Sequence, residues 1–168
     1  MNSSFEAELF PVYLYLKLFL FEFCLVIMSG QNVNVCDIGE DVKEVLKKFR
    51  FQKHSTNAAL ILKVNREKQA LEVDEELENV ELEELQDILP SHQPRFIVYS
   101  YKMEHSDGRT SFPMCFIFYT PRDAHMELQV MYAATQRALA AAVGAPRLLE
   151  VREIDELTND WLNEKLQR

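Results

Sequence analysis

Residues 93–119 read QPRFIVYSYKMEHSDGRTSFPMCFIFY, two apolar runs separated by a polar stretch. In an extended chain Phe96, Val98 and Ser100 point to one side, and Ile97, Tyr99 and Tyr101 to the other. Phe112, Met114, Phe116 and Phe118 oppose Cys115, Ile117 and Tyr119 in the same way. Both sides of both runs are mostly apolar or aromatic. The pattern therefore predicts central strands covered on both faces, not strands with one wet side. Ser106-Asp107-Gly108-Arg109 connects them. Asp-Gly favours the positive φ angles that a tight hairpin turn needs. The rest of the chain must then supply two layers of cover.

Downstream, the stretch Pro121–Val143 holds a predicted helix of about 18 residues. Leu128, Tyr132, Thr135, Leu139, Ala142 and Val143 share one face by the helical period and can pack on the sheet. The other face carries Met126, Val130, Ala133, Ala134, Arg137 and Ala141. A solvent-facing surface would normally show several charges, and this one has a single arginine. A helix apolar all round is normally buried on all sides, so another protein is one source of the missing cover. The alternative is that alanine on an exposed face simply favours helix. Gly144-Ala145-Pro146 ends the helix. Arg147–Val151 reads as a last short strand, and Asp155 or Thr158 can cap a final helix whose Leu157, Trp161, Leu162 and Leu166 pack inward.

Upstream, Asp37–Arg50 predicts a helix with Val42, Val45, Leu46 and Phe49 on one stripe. Asp37 with Glu40 three positions on fits a capping box. Asn57–Val64 reads as a buried strand, with Ala70–Val73 as its hairpin mate. The acid-rich stretch Asp74–Asp87 holds Leu82, Leu85, Ile88 and Leu89 at helical spacing and ends at Pro90. The order is helix, hairpin, helix, hairpin, long helix, strand, helix. The closing strand–helix–strand makes the last strand parallel. The fold class expected is α/β, a central mixed sheet sandwiched between helices.

The chain has 168 residues, enough for one domain with a sizeable core. Its net charge of −9 argues against duplex nucleic acid, which requires a concentrated basic face. The three cysteines, Cys24, Cys36 and Cys115, are odd in number and far apart, which fits unpaired thiols in a reducing, cytosolic protein. Residues 1–27 differ from the rest. Leu9–Ile27 is nearly long enough to cross a bilayer, but Lys17 and Glu22 lie inside it, each costing roughly 2.5–3.5 kcal/mol at the centre of a membrane helix. The positive start and small-residue cleavage site of a secretory signal are missing. We read 1–27 as an atypical hydrophobic extension, from a mis-called start or an anchor, and 28–168 as the domain, with Met28 a candidate initiator. Without the extension the charge is −7, since Glu6, Glu8, Glu22 and Lys17 leave with it.

No catalytic constellation emerges. His54, His92, His105 and His125 fall at loops or element ends without ligand spacing, and no glycine pattern cradles a phosphate. No Gly-x-Ser-x-Gly elbow is present. The grouped carboxylates of 74–87 lack the ordered spacing of a calcium loop. The expectation is a binding module with no catalytic residue, cofactor or metal.

The ordered matches of this sequence point further. QPRFIVYSYK (Gln93–Lys102), H-x-D-G-R (His105–Arg109) and S-F-P-M-C-F-I-F (Ser111–Phe118) closely resemble the glia maturation factor family. So do V-C-D-x-x-E-D (Val35–Asp41), KKFRFQK (Lys47–Lys53), N-A-A (Asn57–Ala59), VDEEL (Val73–Leu77), V-M-Y-A (Val130–Ala133) and D-W-L-N-E-K-L (Asp160–Leu166). The likeness spans roughly Met28–Arg168. It implies an actin-depolymerising-factor homology fold and no enzyme activity. It implies binding to the actin-related protein 2/3 complex, inhibition of nucleation and promotion of filament debranching. Actin filaments at branch junctions would be a second partner. It also implies a monomer in the cytoplasm, on the actin cytoskeleton, and no membrane partner.

By the same resemblance the long helix inserts at the barbed-end groove of an actin-like subunit, making Val130, Met131, Ala133, Ala134, Gln136 and Arg137 the contact residues. The N-terminal end around Ser29 joins that surface, and the Asp107-Gly108-Arg109 turn is a second candidate surface. One departure stands out. The family's helix usually continues M-Y-A-G-S-K-N-K/R, whereas here both usual basic positions are the neutral Gln136 and Ala138, with only Arg137 charged between them. Two rivals are a cofilin-like protein binding actin directly and a membrane-anchored adaptor using residues 1–27. The run ALAAAV (Ala138–Val143) counts against the first, because cofilins carry several lysines there.

Overall fold

A computed structural model of the chain describes residues 36–105, 107–144 and 147–167. The expected extension at 1–27 and Ser29 lie outside these residues. Twelve elements follow: α1 (Glu40–Phe51), β1 (Ala58–Asn65), β2 (Ala70–Glu78), α2 (Leu82–Ile88), β3 (Arg95–Ser100), β4 (Met103–Glu104), β5 (Thr110–Ser111), β6 (Met114–Tyr119), α3 (Met126–Val143), β7 (Arg147–Val151), a 3₁₀ turn (Ile154–Glu156) and α4 (Asn159–Gln167). Five strands form one sheet in the order β2-β1-β3-β6-β7, and β4 and β5 form a separate pair. Only the β6–β7 pairing is parallel, so the sheet is mixed as expected.

The two apolar runs are the centre of this sheet. From Phe96 to Ser100 and from Cys115 to Tyr119 every residue is buried. Phe96, Val98, Phe116 and Phe118 join Val42, Leu46, Phe49, Tyr132, Leu139 and Val143 in one core, under α1 and α3. Ile97, Tyr99, Cys115, Ile117 and Tyr119 join Leu82, Leu85, Leu157 and Leu162 in the other, under α2 and α4. Strand alternation thus feeds two cores, each closed by its own pair of helices.

The hairpin is longer than its runs. After Ser100 the ladder breaks at Pro113, which has no N–H to donate; Tyr101 N–H still donates to its carbonyl at 3.0 Å. The same register then resumes in β4 and β5. His105 N–H donates to Arg109 C=O and Gly108 N–H to His105 C=O, at 2.8 and 2.9 Å. Gly108 has φ +82° and is the residue here with the predicted positive angle. The connection is a longer loop closed by a left-handed glycine, not a two-residue Asp-Gly turn.

Three other expectations are corrected. Asp37 does not cap α1. Its N–H donates to Gln69 C=O and its C=O accepts from Leu71 N–H, so Asp37 is held against the start of β2, and the helix begins at Glu40 with Gly39 as an N-cap that makes no side-chain bond. Strand β2 does not stop at Val73 but runs to Glu78 through a bulge opposite Ile61/Leu62. It is an edge strand whose acidic side chains are exposed or half-buried, so its acidic composition costs little. Ala142 is exposed and Met131 buried, the reverse of their expected roles. The capping box exists elsewhere: Glu81 and Glu84 form it at the start of α2, where Glu81 N–H donates to Glu84 Oε2 at 2.9 Å. Thr158 rather than Asp155 caps α4, accepting from Trp161 N–H at 3.2 Å.

Candidate functional site

Helix α3 fills most of one layer and is held at several points. Tyr132 packs on Phe96 and Phe118, with ring centroids at 4.8 and 6.4 Å, and those two rings are 5.3 Å from each other. Its hydroxyl accepts the Val64 N–H at 2.8 Å, which ties the helix to β1. Burial pushes the Tyr132 phenol up in pKa, and the Val64 bond opposes this only in part. Thr135 is fully buried and satisfied by donating to Met131 C=O at 2.8 Å. Arg66, in the β1–β2 turn, pairs with Glu127 in the first turn of α3, where an acid also favours the helix dipole. Gly144 closes the helix in the left-handed conformation, φ +61°, and its N–H donates to Ala140 C=O at 3.0 Å.

The face away from the sheet is a stripe of small and apolar side chains. Met126 is 64% exposed, Ala133, Arg137 and Ala141 are exposed, and Val130 and Ala134 are half-buried. These positions recur at helical spacing, so they share one side. Arg137 has no carboxylate within 4 Å among the described residues. One cation on an apolar ridge of alanines lets a partner approach closely. Gln136 is half-buried beside this stripe, whereas Met131, at 7% exposure, belongs to the core beneath it. Met131 supports the ridge from below and is not part of its surface. Met126 is absent from the contact residues expected above. Its signal was its place four residues before Val130.

The second expected surface is displayed, with Asp107, Gly108 and Arg109 all exposed. Asp107 accepts the Arg109 N–H at 3.1 Å and its guanidinium at 2.6 Å, which pulls the Asp107 carboxyl below its ordinary pKa. Arg109 is therefore held back onto its own loop. His105 shares a 2.7 Å hydrogen bond with Ser111 across the base of the tip.

Among the described residues no group of three or more His, Cys, Asp or Glu side chains is placed to hold a metal ion. No helix there is long and apolar enough to cross a membrane. Burial pushes the thiols of Cys36 and Cys115 up in pKa, the latter to about 12, so neither is an activated nucleophile.

Comparison with known proteins agrees with this architecture. The family profile described as cofilin/tropomyosin-type actin-binding protein matches residues 35–167. Glia maturation factor of Drosophila melanogaster is 58% identical over 133 residues, covering 79% of this chain and 96% of that protein. Human glia maturation factor beta is 47% identical over 137 residues, covering 82% and 96%. The solution structure of glia maturation factor from Caenorhabditis elegans superposes with a TM-score of 0.69 at 42% identity, over 78% of this chain and 95% of that one. The chain therefore belongs to the glia maturation factor family, non-enzymatic actin regulators of the actin-depolymerising factor/cofilin superfamily.

Proposed function

We propose that this chain regulates branched actin networks by binding the actin-related protein 2/3 complex, inhibiting nucleation and promoting debranching. The observation that supports this reading most is the α3 ridge, Met126 to Ala141, uncovered among the described residues and apolar around Arg137, which has no carboxylate within 4 Å there. A ridge of this kind fits a hydrophobic groove, the usual way an amphipathic helix face is recognised. Val130, Ala133, Ala134, Gln136 and Arg137 are the proposed contacts, with Ser29 joining them from the N-terminal end. Residues 28–168 are the proposed working domain, with 1–27 an extension that is dispensable for binding. Release of branches follows if the protein binds the branch-incompetent arrangement of the complex more tightly than the competent one. The Asp107-Gly108-Arg109 tip is the proposed second contact, towards the filament at the junction.

The test is capture of purified complex and, separately, of monomeric actin by a chain spanning Met28–Arg168, comparing wild type with Arg137→Glu. The expected result is capture of the complex alone, weakened about tenfold or more by the substitution. Capture of actin monomers instead would replace this reading with the cofilin-like one. The neutral Gln136 and Ala138 leave Arg137 as the main electrostatic contact, so its reversal should matter more here than a single reversal where two basic residues share the load.

A further inference from the structure

A second uncovered surface lies at the β2 edge of the sheet. Lys48, Phe51 and Gln52 at the end of α1, with Glu76 and Glu78 of β2, line an open groove of about 710 Å³. Phe51 is 73% exposed, the most exposed large apolar side chain among the described residues. The guanidinium of Arg50 lies 5.7 Å from its ring and covers one side only. Gln52 donates to Glu78 at 2.9 Å, but its carbonyl oxygen is shut off from solvent without a hydrogen-bond partner among the described residues.

The strand beside this groove has backbone to offer. Asp37 occupies the outer edge of β2 only at its start. From Glu72 to Glu78 the strand pairs with β1 alone among the described residues. An edge strand turns half its N–H and C=O groups away from its one neighbour, ready to template another strand. Glu75, Glu76 and Glu78 have no cation within 4 Å among the described residues, and Lys48 is the one cation lining the groove. A second copy of this chain pairing through β2 would bring like charges together, which is destabilising.

We propose that this edge docks an extended basic segment of a partner protein. The segment adds as a sixth strand beside β2. Its Lys or Arg side chains pair with Glu76 and Glu78, and an apolar side chain packs on Phe51. Recognition of this kind draws affinity from main-chain bonds and specificity from alternate side chains. The surface is separate from the α3 ridge, so it stands or falls independently of the function proposed above.

The test uses the full chain, with a fluorescein-labelled heptapeptide RKVVRKV as probe, which carries basic and apolar side chains on each face of an extended strand. Anisotropy should show saturable binding, weakened about tenfold by Phe51→Ser and by the paired change Glu76→Lys with Glu78→Lys. All three positions are on the surface, so folding should be unaffected. Leu148→Ser, on the opposite edge strand, should change nothing. Amide hydrogen exchange should slow between Glu72 and Glu78 when the peptide is bound. The proposal is overturned by absence of binding, or by equal binding of RKPPRKV, whose adjacent prolines remove backbone donors from both sides of the peptide. Binding insensitive to the β2-edge substitutions, protection confined to β7, or self-association of the chain that Phe51→Ser abolishes would overturn it equally.

Discussion

Asp74 shows how one residue can join three strands. The β2 bulge leaves it without a place in the ladder and turns its carboxylate to Lys63 of β1 and Arg95 of β3, each at 2.8 Å. Burial raises its pKa, but the hydrogen bonds and charges of Lys63 and Arg95 outweigh that, and the net shift is downward. Asp74→Asn should destabilise the fold by about 1–2 kcal/mol at neutral pH. Because the folded-state pKa lies below the unfolded one, this contribution is complete above roughly pH 4 and is lost as pH falls through the lowered value. Urea titrations of both proteins from pH 7 to pH 3 should therefore show their stabilities converging in acid. A gap independent of pH would show that the side chain acts by packing instead. Tyr132→Phe removes the acceptor of the buried Val64 N–H, and should cost about 1–3 kcal/mol in the same titration at neutral pH with an unchanged denaturant slope. Neither Cys36 nor Cys115 should be alkylated by iodoacetamide at pH 8 in the folded protein, as read by mass spectrometry, since both are fully buried with raised thiol pKa values.

At the scale of elements, α3 separates stability from recognition. Its inner residues are anchored in the core while its outer residues touch little. Leu139→Ala should cost about 2–5 kcal/mol in chemical denaturation. Arg137→Glu should stay within about 0.5 kcal/mol of wild type while losing the partner. Gly144→Ala should cost about 1 kcal/mol, because alanine is strained at φ +61° and its Cβ would lie 2.3 Å from the Arg50 guanidinium. The span of α3 and its closing glycine were legible in the sequence, because apolar periodicity and a C-terminal Gly-x-Pro are strong local signals. The exact facing of Met131 was not. Met131 and Ala142 lie only about 20° apart around the helix, so helical facing alone does not separate them; Met131 lies against the core, whereas Ala142 lies in the last turn and is exposed. Strand β2 was legible only to Val73 because an edge strand with wet side chains has the composition of a loop. The tertiary pairing that makes it a strand lies in β1.

At the scale of the whole domain, the two apolar runs of residues 93–119 announced a sheet covered on both sides, and two separate cores meet that demand. Among the described residues the sandwich leaves two kinds of uncovered surface, the α3 ridge and the sheet edges. Local sequence marks the first through a helix short of charges. The second appears only once the strand order is known. If the α3 ridge removes branches from actin networks, as proposed, branch lifetime in fluorescence microscopy of filaments assembled with the actin-related protein 2/3 complex reads it directly. Wild type should shorten branch lifetime, and Arg137→Glu, equally stable in urea, should leave it close to that of untreated branches. A variant that debranches as fast as wild type would contradict the claim.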